Sequence, residues 1–193
     1  ELRTPLNAVI GYSEVIRDEI FGPMGHAKYH EYSKDIHASG EHLLELIEDI
    51  LDLSKIETGN IVMEERELDI PALIQDTVRI AAPAVQTGNF EVKIDATPHF
   101  PAVLADEIRL RQVLLNLMSN ASKFTTEGGK ITVSALINDA GEPEFSVRDT
   151  GIGIAETDIP HVMAPFGRLE QAVIDNDRGT GLGLPLSKSL IEL

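Results

Sequence analysis

The chain has 193 residues, 42% of them apolar, no cysteine, and a formal net charge of −16 from 32 acidic and 16 basic side chains. That length suits one large domain or a small pair, and the lack of cysteine excludes a disulfide framework or a thiolate metal site. The acidic balance opposes binding to nucleic acid or to an anionic membrane surface, both of which need a basic footprint. No apolar run is long enough to span a bilayer and no signal peptide is visible, so this stretch is expected in the cytoplasm without membrane contact of its own, even if its parent protein is membrane-anchored.

Residues 1–19 read as a helix, with Leu2, Leu6, Val9, Ile10, Val15 and Ile16 on its apolar face. A turn cluster at 21–25 leads to a longer helix over 27–56. Its stripe of Ile36, Leu43, Leu44, Ile47, Ile50 and Leu51 lies close to a heptad seam. Two helices joined by a short loop make an antiparallel hairpin. One hairpin cannot bury two apolar faces, so pairing with a second copy into a four-helix bundle is expected; the alternative cover is the chain's own second half. His26 and His30, four residues apart, could be read as a metal pair, but no third ligand accompanies them and the stretch is an exposed helix start.

Gly59 caps this helix, and polar residues to about Glu67 form a boundary, giving expected domains 1–59 and 60–193. The composition then turns mixed α and β. A helix over 70–86 carries Pro71 in its first turn, and short strands are expected at 90–95 and 102–105. An amphipathic helix begins near Asp106, with Ile108, Leu110, Val113, Leu114, Leu117 and Met118 as its stripe. Strands follow at 131–137 and 144–148, separated by a turn at 139–143, then a short helix over 159–163. Residues 169–178 are polar, acidic and poorly periodic, as expected of a lid loop. A last helix starts near Leu182.

The chemistry concentrates in the second half. Asn116, Asn120 and Lys123 fall on one face of the helix that starts near Asp106. Asparagine is a mediocre helix former, so two on one face invite a reason. A carboxamide oxygen can hold Mg²⁺ while the cation keeps waters and phosphate oxygens, and Lys123 offers phosphates a point charge. A merely solvated polar face would look the same in isolation. Two glycine turns, Asp149-Thr-Gly151-Ile-Gly153 after a strand and Gly179-Thr-Gly181-Leu-Gly183 before a helix, make the set more specific, because such turns let backbone N–H groups approach an anion. The carboxylate of Asp149 could accept from the exocyclic amine of adenine. Lys123, Arg168 and Arg178 are the candidate cations for an anionic nucleotide.

These stretches resemble the signature boxes of sensor histidine kinases. Asn116…Asn120-Ala-Ser-Lys123-Phe124 is similar to their N box and Asp149-Thr-Gly-Ile-Gly to their first glycine box. Pro165-Phe166 is similar to their F box and Gly179-Thr-Gly-Leu-Gly-Leu to their second glycine box. Glu1-Leu-Arg-Thr4-Pro5-Leu-Asn resembles the segment that follows their phosphoacceptor histidine. The match runs nearly end to end in order and spacing.

The resemblance implies an α+β chain: an antiparallel hairpin that dimerises, then an α/β sandwich that binds ATP and Mg²⁺ under a lid. It implies autophosphorylation on histidine, transfer to an aspartate of a response-regulator receiver domain, and phosphatase activity toward that regulator. Asn120 would hold Mg²⁺, Asn116 would act on the phosphate side, and Lys123 would contact phosphate. Asp149 would select adenine. Phe124, Gly151, Gly153, Gly179, Thr180, Gly181, Leu182 and Gly183 would shape the pocket, and Phe166 would link lid and hairpin. Glu1 would serve as general base on the acceptor imidazole and Thr4 would orient the water that hydrolyses the regulator's phosphate.

Two departures qualify the resemblance. The family's acceptor precedes the Glu of its Glu-Leu-Arg-Thr-Pro-Leu segment, which here is the first residue, and none of the six histidines has flanks that would let it substitute. The family also continues beyond a position like Leu193 with a glycine-rich turn and two strands. A scaffold that binds nucleotide or regulator without phosphorylating itself therefore stays as the alternative. An ATPase of the gyrase, chaperone or mismatch-repair type would not need the hairpin.

Overall fold

The computed structural model describes residues 3–20, 22–85, 91–96, 100–169 and 180–193. Helices α1 (Arg3–Arg17) and α2 (Ala27–Glu57) form the antiparallel hairpin. They approach closely where α2 carries Gly40: a Cβ there would stand 2.7 Å from Ile10 Cγ1, a separation no side chain tolerates without a shift. A buried polar layer fixes the pairing, with the Ser33 hydroxyl donating to the Ser13 carbonyl across the hairpin. The two histidines once open to a metal reading have other work: His26 accepts from Lys28 N–H at 3.2 Å to cap α2, and His30 Nε2 meets Glu19 at 2.8 Å.

The outward side of the hairpin stays apolar. Ile36, Leu43 and Ile50, seven residues apart, are 49%, 49% and 45% exposed. Leu44 and Ile47, from the same expected stripe, are half-buried. The chain's second half does meet α2, but at its C-terminal end. There Ile56 and Ile61 pack against Val113, Leu117, Leu186 and Leu190, and Asp52 takes Arg109 Nη1 at 2.7 Å and Gln112 Nε2 at 3.3 Å.

The second half is a mixed sheet under helices. β2 (Glu91–Ala96) pairs in parallel with β4 (Lys130–Ile137), and β4 pairs antiparallel with β5 (Pro143–Asp149). Alternate residues Ile131, Val133 and Ala135 of β4 are fully buried, the period-2 face a half-covered strand requires. Against it lie Ile70, Leu73 and Ile74 of α3 (Ile70–Val85) and Leu110, Leu114 and Met118 of α4 (Glu107–Phe124). The short α5 (Ile159–Val162) and α6 (Gly183–Ile191) complete the described elements. Among the described residues no helix is long and apolar enough to cross a membrane.

One expectation is corrected. The polar stretch read as a boundary contains a strand, β1 (Glu65–Leu68), paired antiparallel with β3 (Val103–Asp106). Three of its four residues are exposed and only Leu68 points inward, so it shows no alternation. Its pairing depends on Asp106, whose Oδ2 accepts from Glu64 N–H at 3.0 Å while Oδ1 accepts from Ile108 and Arg109 N–H at 2.9 and 3.1 Å, capping α4.

Burial pushes the Asp106 carboxyl up, but the N–H groups of Glu64, Arg109 and Ile108 and the Arg109 charge outweigh it and hold the carboxyl below its ordinary range. A folded pKa below the unfolded one contributes stability at neutral pH that is lost as pH falls through the acid range under the ordinary aspartate value. Asp106→Ala leaves three backbone donors unsatisfied. It is expected to cost about 1–3 kcal/mol at pH 7 in denaturant unfolding, with a smaller difference from wild type in acid. An unchanged midpoint would show that water replaces the cap.

Candidate functional site

The site is built on α4. Leu110, Leu114 and Met118 of its stripe face the sheet while Ile108, expected among them, is 70% exposed, and Asn116, Asn120 and Lys123 line a cavity of about 280 Å³, near the lower end of the range for small-molecule sites. The same cavity is lined by Phe124, Asp149, Gly153, Thr180, Gly181 and Gly183. These residues from three separate elements thus meet in one place, whereas Gly151, Phe166 and Leu182 are not among the residues that line it.

The first glycine turn is held against the end of α4. Asp149 ends β5, and its Oδ1 accepts from Gly151 N–H at 2.7 Å. A Cβ on Gly151 would lie 2.2 Å from the Phe124 carbonyl oxygen, so only glycine fits between β5 and α4. Gly153 takes a positive φ of 71°. With one carboxylate oxygen used by the turn, the other is left for a ligand, since an ionised carboxylate only accepts.

The second turn closes the opposite end. Asn116 Nδ2 lies 3.5 Å from the Gly183 carbonyl and from Ser187 Oγ. Leu182, fully buried, donates its N–H to Thr180 Oγ1 at 3.1 Å. Phe166 is at φ 63° and 60% exposed, and its N–H donates to the Gly181 carbonyl at 2.9 Å. Its backbone rather than its ring therefore braces this turn. Gly183 opens α6, whose first N–H groups favour an anion. Asn116 and Phe124 are eight residues apart on α4, so the two ends of the cavity are separated by about 12 Å.

Lys123 and Arg168 supply positive charge to the cavity wall. The donor set suits a cation that keeps waters and phosphate oxygens. Asn116 and Asn120 offer carboxamide oxygens, and the described residues include no group of three His, Cys, Asp or Glu able to cage a metal. Glu1, Gly179, Arg178 and nearly all of the expected lid at 169–178 lie outside the described residues, as does the side chain of Thr4, whose backbone belongs to α1.

Two lining residues were not foreseen. Glu45 and Asp49 reach the cavity from α2 of the hairpin. Asp49 bonds the Thr180 hydroxyl, and burial, then the charges of Glu45, Asp52 and Glu48, push its carboxyl up to about 6 in spite of that bond. The Thr180 contact itself favours the carboxylate and only partly offsets the rise, which comes from burial among acidic neighbours. No local signal marks Asp49, since it falls on the polar face of α2 like any solvated carboxylate. Val147, apolar lining from β5, also had no motif to announce it, whereas Ile152 falls inside the first glycine box.

Residues 1–59 match the His Kinase A (phospho-acceptor) domain, and residues 105–193 match the Histidine kinase-, DNA gyrase B-, and HSP90-like ATPase family. Over its full length the chain is 45% identical to 23% of the "Non-motile and phage-resistance protein" of Caulobacter vibrioides. It is 38% identical, again over its full length, to 19% of the "Cell-division control histidine kinase PdhS" of Brucella suis. The chain thus spans about a fifth of the length of these curated relatives. Among solved structures, full-length ShkA in complex with AMPPNP superposes with a TM-score of 0.80 and 32% identity, covering 98% of this chain and 38% of that one.

Proposed function

Because the chain belongs to the histidine kinases, joining their phospho-acceptor hairpin to their ATPase domain, we propose that it is the core in which a two-component sensor kinase binds Mg-ATP, phosphorylates a hairpin histidine and passes the phosphoryl group to a response-regulator aspartate. The observation that carries this is the convergence of Asn116, Asn120, Lys123, Asp149 and both glycine turns on one cavity. The hairpin unit is taken as residues 1–59 and the nucleotide unit as 60–193.

In this reading Asp149 accepts from the adenine amine at one end of the cavity. The triphosphate runs toward the other, where Asn116 and the α6 N-terminus meet it, Lys123 reaches a phosphate with its long side chain from the last turn of α4, and Asn120 holds Mg²⁺. Phe124, Gly151, Gly153, Gly179, Thr180, Gly181, Leu182 and Gly183 give the pocket its shape, and Phe166 connects the lid to the hairpin. The bound cation would neutralise developing phosphate charge. The chain's own residues position the terminal phosphate, and catalysis of phosphoryl transfer consists largely of such positioning. Glu1 would take the proton of the acceptor imidazole preceding it, and Thr4, on the same helix face, would orient water for dephosphorylation of the regulator. Two hairpins would pair through the exposed α2 seam.

The test is label transfer from γ-labelled ATP in the full-length protein. Wild type is expected to acquire acid-labile label, and Asn120→Ala to lose it by at least about a hundredfold, the scale of a removed phosphate-positioning group. Thr4→Ala is expected to keep the label while ceasing to dephosphorylate the regulator. Nucleotide binding without any labelling of wild type would instead establish the scaffold reading.

A further inference from the structure

The hairpin contributes to the cavity, and it does so at the end that faces away from Asp149. Asp149 is tied to Gly151, which abuts Phe124 at the C-terminal end of α4. Asp49 lines the same cavity as Thr180, a residue of the second turn, which rests on Asn116 through Gly183. Two turns of α4 separate these ends, about the reach from a nucleotide's base to its last phosphates. Asp49 is fixed there by its neighbours on α2. Three residues on, Asp52 is clamped by Arg109 and Gln112, and beyond it Ile56 packs on Val113 and Leu186.

An acidic side chain at the phosphate end of a nucleotide site is unfavourable, and more so with each added phosphate charge. Glu45 lines the same wall and adds to this, whereas Lys123 and Arg168 act in the opposite sense.

We infer that Asp49 is a specificity-determining residue: while the catalytic unit rests on α2, its carboxylate makes the site prefer a nucleoside diphosphate to a triphosphate. This rests on the nucleotide reading of the cavity given above.

The experiment is calorimetry on the full-length protein at pH 7.5 with Mg²⁺, titrating ADP and, separately, the imido analogue of ATP. Asp49→Asn is expected to tighten the triphosphate analogue by about tenfold, the size of a charge effect over a few ångströms in a partly solvated site, and ADP by less than about threefold. Asp49→Ser, which also removes the charge with a smaller side chain, should shift the ratio the same way, and Asp49→Glu should restore the wild-type ratio. A ratio unchanged in both neutral variants, or weaker binding of the triphosphate, overturns the inference. Wild type that binds neither nucleotide overturns the nucleotide reading itself, a distinct result.

Discussion

Asp149→Asn is expected to weaken ADP and ATP binding by about a hundredfold and to leave the melting temperature nearly unchanged. One oxygen of Asp149 is committed to the Gly151 N–H at 2.7 Å, which leaves the second to accept from the adenine amine. An asparagine has one acceptor oxygen and one NH₂. If its oxygen keeps the turn, its NH₂ faces the adenine amine, donor against donor. If it flips, the Gly151 N–H is opposed instead. Either way a bond is lost and a polar group is left opposed. The side chain is exposed, so the fold should not register the change. Calorimetry with ADP measures the loss, and affinity within threefold of wild type would remove Asp149 from adenine recognition.

Changing Leu43 and Ile50 together to glutamate is expected to convert a dimer into monomers at tens of micromolar in sedimentation. These two residues, with Ile36, form an exposed apolar row seven residues apart on α2, and Val9, Tyr12 and Ile16 of α1 are also exposed apolar positions. Burying an aliphatic side chain of this size contributes about 1.5–3 kcal/mol. The double change removes four such contacts per bundle and sets four carboxylates at the seam. The expected loss exceeds about 5 kcal/mol, more than three decades in association. Ile47 is half-buried within its own chain, so Leu43 and Ile50 probe the seam with less risk to the hairpin. A native protein that is already monomeric at that concentration would contradict the pairing.

Both expectations draw on features of different legibility. The helices could be read directly, because the apolar rows of α2 and α4 repeat at helical spacing and that spacing is local to the chain. That Asn116, Asn120 and Lys123 share a face was legible as well, because their spacing is helical and local, and the glycine turns that meet them at the cavity were legible as turns. The sheet was legible strand by strand but not in its pairing. Nothing near β2 and β4 says that they run parallel, since their pairing is settled between residues about forty positions apart, whereas β5 turns back on β4 through the local turn at 139–143.

β1 was illegible for the same reason. Glu65, Arg66 and Glu67 show no hydrophobic alternation, and they become a strand only because β3 offers its edge and Asp106 bonds the Glu64 N–H. Asp49 is the strongest case. By sequence it is one more acid on a solvated helix face. Its environment exists only once Arg109, Ile56 and the second glycine turn bring the ATPase unit against α2. Periodicity and local bonding chemistry act over a few residues and are written in the sequence. Desolvation and charge at Asp49 depend on which surfaces meet, and the tertiary structure alone decided that.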